Sequence, residues 1–110
     1  MQSFSYLAKE TQATVNRAYY AVFHCLQALL QSEDVYSKTH QGTQRKFNEL
    51  FIQTERFPKE SAKMIANLSV LRGIADYDYQ IVPSLEEANQ AVSNANEFLN
   101  LVIEIFGQDE

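Results

Sequence analysis

The sequence predicts an all-α fold, an antiparallel, up-and-down four-helix bundle, and three observations carry that expectation. Apolar residues recur at spacings of three and four through long uninterrupted segments, the period of a helix with one buried face. Gly and Pro number only three and two in 110 residues, which suits long helices joined by short connections. No run alternates with period two for long enough to form a strand.

The first helix is expected to begin somewhere in residues 5–12 and to run to about Gln31. Val15, Ala18, Tyr19, Val22, Phe23, Leu26, Leu29 and Leu30 supply its broad apolar stripe. A second, weaker helix spans roughly Thr39 to Gln53, with Phe47, Leu50 and Phe51 facing the core. Pro58 suits the first turn of a third helix, where its missing N–H is one of the groups left unpaired anyway. Ala62, Ile65, Leu68, Leu71 and Ala75 carry that helix toward Tyr79. Ser84-Leu85-Glu86-Glu87 has the form of a capping box opening a fourth helix. Leu85, Ala88, Val92, Ala95, Leu99, Val102 and Phe106 then repeat up to Gly107, so one whole side must be buried against the bundle or a second subunit.

A chain of this length makes one domain, 1–110, with enough residues to enclose a core. Apolar residues at 45% and charges at 21% are ordinary for a soluble globular protein. Cys25 stands alone, so no internal disulfide forms. Its place in an apolar helical run reads as an inert, buried thiol rather than a reactive one. No segment approaches the roughly 20 apolar residues of a membrane span and none resembles a signal peptide, so a cytoplasmic protein is expected.

The net charge of −5 speaks against strong nonspecific binding to nucleic acid, which rests on neutralising phosphates. The distribution is uneven, however. Lys38, Arg45, Lys46, Arg56, Lys59 and Lys63 face three acids in the same stretch, whereas eight acids and no base follow Arg72. The split reads either as two solvated faces or as a modest positive patch set against an acidic last helix.

Two blocks stand out, Asn16-Arg17-Ala18-Tyr19-Tyr20-Ala21-Val22-Phe23-His24 and Leu71-Arg72-Gly73-Ile74-Ala75-Asp76-Tyr77-Asp78-Tyr79. Together they resemble the HEPN domain, in particular the small prokaryotic proteins with an RAYYA-F-H helix. Lys38-Thr39-His40-Gln41-Gly42, Phe57-Pro58-Lys59-Glu60 and the alanine-rich acidic last helix extend the resemblance from about Thr11 to Phe106. It implies a helical bundle that often pairs as a homodimer. Relatives usually carry a further amphipathic helix before the RAYYA segment, and only about ten residues precede Thr11 here. The apolar surface so uncovered is expected to be covered by a second copy or another protein.

The resemblance also implies a metal-independent ribonuclease, whose signature is an Arg, four to six residues, a His, and often X-Tyr. Here Arg72 keeps the first position and Tyr79 the last, but Tyr77 stands where the His belongs. Attack of a ribose 2′-hydroxyl on phosphate needs a proton acceptor near neutral pKa and a cation for the developing charge. Arg72 suits the second role; Tyr77, with a reference pKa near 10, is a poor base.

The residues also admit structural accounts. Arg72 and Asp76, four apart, can form an intrahelical pair, with Tyr77 and Tyr79 as half-buried aromatics. Alternatively Arg72, Asp76, Tyr77 and Tyr79 face a phosphate, nucleotide or RNA. Arg17, Tyr20, His24, Gln27 and Gln31 form a polar stripe on the first helix. If it faces Arg72, His24 becomes the surrogate base; otherwise Arg17 and His24 bridge helices. His40 is either a solvent-exposed neighbour of a helix cap or a contributor to an anion site. Asp76 and Asp78 point to different sides of a helix and no His or Cys cluster exists, so neither metal nor other cofactor is expected.

Three functions follow as expectations. The first is a HEPN-type protein that binds RNA, a nucleotide or a nucleotidyltransferase-type partner within a toxin–antitoxin module. In some such modules, the resemblance implies, the Tyr after the His receives nucleotidyl groups, and Tyr79 occupies that position here. The second is an active metal-independent ribonuclease using Arg72 and a relocated base, His24. The third is a structural homo-oligomeric interaction module associating through the stripe that holds Leu99 and Phe106.

Overall fold

The computed structural model describes the backbone over residues 2–77 and 82–107 and the side chains over 7–73 and 82–107. Four helices and no strand are found among these residues, in agreement with the all-α expectation. The first, α1 (Gln2–Gln31), is longer at its start than the spacing predicts, because nothing between residues 2 and 31 is a Gly or Pro that would break it. All eight stripe residues, Val15 to Leu30, are buried, and α1 packs against each of the other three helices.

The end of α1 is a Schellman closure. Val35 donates to the Leu30 carbonyl at 2.9 Å and Asp34 to that of Gln31 at 3.0 Å, with Asp34 at φ 58° in the left-handed position usually held by Gly. The short connection then delivers Thr39, which caps α2 (His40–Phe47) by accepting the Gly42 N–H at 2.9 Å. Gly42 is required by space. A Cβ there would lie 2.6 Å from both the Thr39 and the Ser37 hydroxyl oxygens. Asn48–Ile52 continue α2 as a wider π-helical turn, so the second helix of the sequence reading is a composite of two helical forms. That turn presents Phe47 and Phe51 to one stack, 5.2 Å between rings.

Helix α3 (Lys59–Tyr77) starts directly after Pro58, whose carbonyl accepts the Ser61 N–H at 3.0 Å; Pro58 thus sits just outside the helix rather than in its first turn. Ile65 and Leu68 anchor α3 to the core. Helix α4 (Leu85–Phe106) opens with the expected box. Ser84 Oγ accepts from the Glu87 N–H at 3.0 Å and Glu87 Oε1 from the Ser84 N–H at 2.9 Å. Ala88, Ala91 and Ala95 allow α4 to lie close to its neighbours, and Phe98 completes the buried face.

Phe106, which periodicity places in an association stripe, instead meets Phe51 and Phe57 at ring distances of 6.2 and 5.9 Å. It belongs to a cluster with Phe47 and Phe98, and the Arg56 guanidinium covers Phe51 at 4.4 Å while pairing with Glu33. No described helix is long and apolar enough to cross a membrane.

Gly42→Ala is expected to displace the Thr39 cap and lower stability by ~1 kcal/mol, roughly 5 °C in Tm for a chain of this size. A thermal melt followed by circular dichroism checks this; an unchanged Tm would mean that the cap yields without cost.

Candidate functional site

The consecutive pair Tyr19 and Tyr20 falls across the boundary of α1's buried face, Tyr19 inside and Tyr20 at the surface. Their rings meet edge to face at 5.4 Å, and residues from two other helices close on them. From α2 comes His40, its first residue, placed by the Thr39 cap. His40 Nδ1 shares a 2.7 Å hydrogen bond with the Tyr19 hydroxyl, and its ring lies 4.3 Å from that of Phe23, tilted by 31°. From α3 comes Arg72. Its guanidinium donates to the Tyr20 hydroxyl at 3.2 Å and sits 5.4 and 5.7 Å from the centres of the Tyr19 and Tyr20 rings. Gln44, one turn beyond His40, donates to Ser69 Oγ at 3.4 Å, tying α2 to α3 below the site.

Burial pushes the Tyr19 hydroxyl above its ordinary pKa, against the Gln44 side chain and the Arg72 cation, which pull it down. The hydroxyl is therefore protonated at neutral pH and can serve His40 as donor or acceptor. Chemically, the site offers a fixed cation, an imidazole bound through Nδ1, and aromatic faces. That combination suits a phosphate flanked by a planar base.

His40 is thus neither a plain solvent-exposed neighbour of the cap nor a lone N-terminal group; its half-buried ring is part of an aromatic stack. His24 is exposed, with Nδ1 3.3 Å from Gln27 Oε1 and its ring 6.0 Å from that of Tyr20, so it stands at the rim beside the residue that receives Arg72's bond. Arg17 lines a shallow groove between α1 and α4 with Thr14, Ala21, Val92 and Leu99. The backbone of Asp76 and Tyr77 forms the last turn of α3, but their side chains, and Tyr79 altogether, lie outside the described residues. Tyr19 and Phe23 are site residues that spacing assigns to the core alone. Their sequence signal is the Asn16–His24 block, which holds both residues.

Among the described residues no group of three His, Cys, Asp or Glu side chains is placed to hold a metal ion. Cys25 is half-buried, and burial pushes its thiol above the ordinary value, which disfavours the reactive thiolate.

Comparison with known proteins bears on the family. The HEPN domain model matches residues 3–106. A Methanocaldococcus jannaschii protein named "putative toxin" is 35% identical over 86 residues, covering 78% of this chain and 58% of its own length. A second protein of that name from the same organism is 32% identical over 88 residues, 80% of this chain and 65% of the relative. A "UPF0332 protein" of Gloeobacter violaceus is 28% identical over 111 residues, 98% of this chain and 88% of the relative. The chain thus spans less than two thirds of the length of the two toxin-named relatives. No solved structure matches it.

The raised Tyr19 pKa has a consequence for alkaline stability. The unfolded chain loses this proton near the ordinary value of 10.0 and the folded chain at a higher pH, so the contribution is intact below pH 10 and is lost as pH rises through the folded value. Between about pH 9 and pH 11.5, the wild-type Tm should fall more steeply than that of Tyr19→Phe. Parallel slopes in thermal melts would show that Tyr19 ionises no later than an exposed tyrosine.

Proposed function

The chain belongs to the HEPN domain family, and from that premise we propose that it is the toxin-type half of a two-protein module, acting on RNA at the Tyr20–His40–Arg72 site. The observation that carries the reading is the convergence of Arg72 and His40, from separate helices, on the Tyr19–Tyr20 pair. An Arg guanidinium is a permanent cation whose planar donors match phosphate oxygens. Lys38 and Arg45 are exposed on either side of His40 in sequence and add positive charge on the α2 side, whereas α4 carries Glu86, Glu87, Glu97 and Glu104. The toxin names of two relatives support a toxin-type role.

On this reading residues 1–110 form one domain that works in the cytoplasm, and its neutralising partner is a nucleotidyltransferase-type protein that uses Tyr79 as acceptor. The protein pairs with a second copy through the α1–α4 groove. Val92, 38% exposed, lines that groove with the half-buried Leu99, and Ile103, one turn beyond Leu99 on α4, is 66% exposed. Phe106, being packed in the phenylalanine cluster, takes no part in that contact.

The first test is fluorescence anisotropy with a labelled single-stranded RNA of mixed sequence. Arg72→Ala should weaken binding about tenfold or more, the loss of a hydrogen-bonded charge at a phosphate. Equal affinity of wild type and variant would remove RNA binding from this site. A second test addresses the pairing. Val92→Glu combined with Ile103→Glu should convert a dimer to a monomer in analytical ultracentrifugation, with Tm held within a few degrees. A monomeric wild type would exclude the pairing.

A further inference from the structure

We propose that Tyr36, with the amides of Gln27 and Gln31, forms a second subsite that holds an unpaired RNA base beyond the tyrosine pair. This rests on the reading of the tyrosine-pair site as RNA-directed. Tyr36 is 65% exposed, yet the backbone that carries it is held from both neighbouring helices. The bond from the Val35 N–H to the Leu30 carbonyl turns the chain back along the last turn of α1. From α2, Lys46 Nζ donates to the Tyr36 carbonyl at 3.0 Å, and the Ser37 hydroxyl donates to the Thr39 carbonyl at 3.4 Å. An accessible aromatic ring on a fixed backbone is a stacking platform that folding has already ordered.

Beside the ring lies a shallow hollow lined by Gln27, Gln31 and Ser37 together with Leu30 and Val35. A glutamine amide carries both donors and an acceptor, so two of them can meet the mixed donor–acceptor edge of a base. Among the described residues the Gln31 amide makes no hydrogen bond, and Gln27 engages Oε1 alone, at 3.3 Å from His24 Nδ1. That contact joins the hollow to the tyrosine pair, because the His24 ring lies 6.0 Å from that of Tyr20. Tyr20, His24, Gln27 and Gln31 thus form one polar line on α1, about 16 Å from first to last at the rise of a helix. A single strand lying along it meets Tyr20 at one end and Tyr36 at the other.

Charge and polarity favour an RNA strand over a protein here. Glu33, in the turn before Tyr36, is paired with Arg56, which leaves Lys38 and Lys46 against Asp34 in this segment. Residues that dominate protein contacts sit in dry, fully desolvated pockets, whereas this hollow is walled by two amides and a hydroxyl. Duplex RNA does not fit the requirement, since its bases are stacked inside.

The experiment is fluorescence anisotropy with the labelled single-stranded RNA of mixed sequence, on wild type, Tyr36→Ala, Tyr36→Phe, Gln31→Ala and Arg72→Ala. Tyr36→Ala should weaken binding about tenfold, the loss of one base–ring stack, and Tyr36→Phe should stay within about twofold. Gln31→Ala should weaken it about threefold, the loss of a neutral hydrogen bond. On a strand of equal length whose bases are replaced by tetrahydrofuran, wild type and Tyr36→Ala should bind alike. Thermal melts should place Tyr36→Ala within a few degrees of wild type; if it fails to fold, Gln31→Ala decides. Arg72-dependent binding that ignores both Tyr36→Ala and Gln31→Ala would overturn this inference and leave the RNA-directed site standing. So would a Tyr36→Ala defect of equal size on the base-free strand, or a defect in self-association by analytical ultracentrifugation with RNA affinity unchanged, which would give the face to a protein contact. Absence of Arg72-dependent binding would remove the underlying reading itself.

Discussion

The hydroxyl of Tyr19 is carried into the interior by α1, and an interior hydroxyl needs a partner. Leaving one unpaired costs about 1–3 kcal/mol, comparable to a large share of the margin by which a small domain is folded. His40 meets that need, and the match constrains three helices together. The start of α2 must lie where Nδ1 reaches the hydroxyl, so the connection after α1 has to close tightly through Asp34 and deliver Thr39 in place as the cap. Gly42 must leave the cap room. Gln44 then falls one turn further on, where it reaches Ser69 of α3, and α3 in turn brings Arg72 over the same tyrosine.

Further along α2 the packing has a different character. Phe47, Phe51, Phe57, Phe98 and Phe106 interlock at ring distances of 5.2 to 6.2 Å, largely in edge-to-face pairs, with no described hydrogen bond among them to satisfy. The π-helical turn at Asn48–Ile52 brings Phe51 into that stack, and Arg56 seals it with a cation over the ring. The two regions divide the work. The phenylalanine cluster buries apolar surface without polar obligations, while the tyrosine pair accepts polar partners and half-exposure. A site that must keep a hydrophilic mouth is costly to hold, and the dry cluster beside it is what offsets that cost.

Much of this was legible locally. The Ser84–Glu87 box depends on residues three apart, and the α1 stripe on a period that any helix obeys, so both could be read without knowing what packs on them. The site was legible only in part. Arg72 and Tyr20 stood out by residue type, but they meet across 52 positions, and Tyr19 and His40 across 21. Such meetings depend on how two helices rotate against each other, which no spacing within either helix encodes. His40 was therefore visible as a residue beside a cap, and its ring direction was not. Phe106 shows the converse. Its place in the α4 repeat was read correctly as apolar, yet the repeat could not distinguish a subunit contact from Phe51 and Phe57 of the same chain. Arg17 and His24, seven apart on one helix, suggested a common face. Of the two, Arg17 lines the α4 groove and His24 stands at the rim of the tyrosine pair.

The acidity of the chain also acquires a meaning from this geometry. Binding driven by many phosphate contacts releases many counterions and collapses as salt rises. A molecule of net charge −5 cannot bind in that way over its whole surface, and the acidic α4 would repel a strand lying across it. Arg72, set in rings rather than among lysines, suits the opposite regime of one or two phosphates held by directed donors. The remaining affinity then comes from flat surfaces such as Tyr20. Recognition of that kind is weak on duplex nucleic acid, whose bases are stacked inside, and stronger where a base is already turned out, as in single-stranded RNA. The same negative surface would limit adventitious binding to bulk RNA. On the proposed RNA-binding reading, selectivity for an unpaired, accessible phosphodiester would follow from where the chain places its single arginine on α3, not from its overall charge.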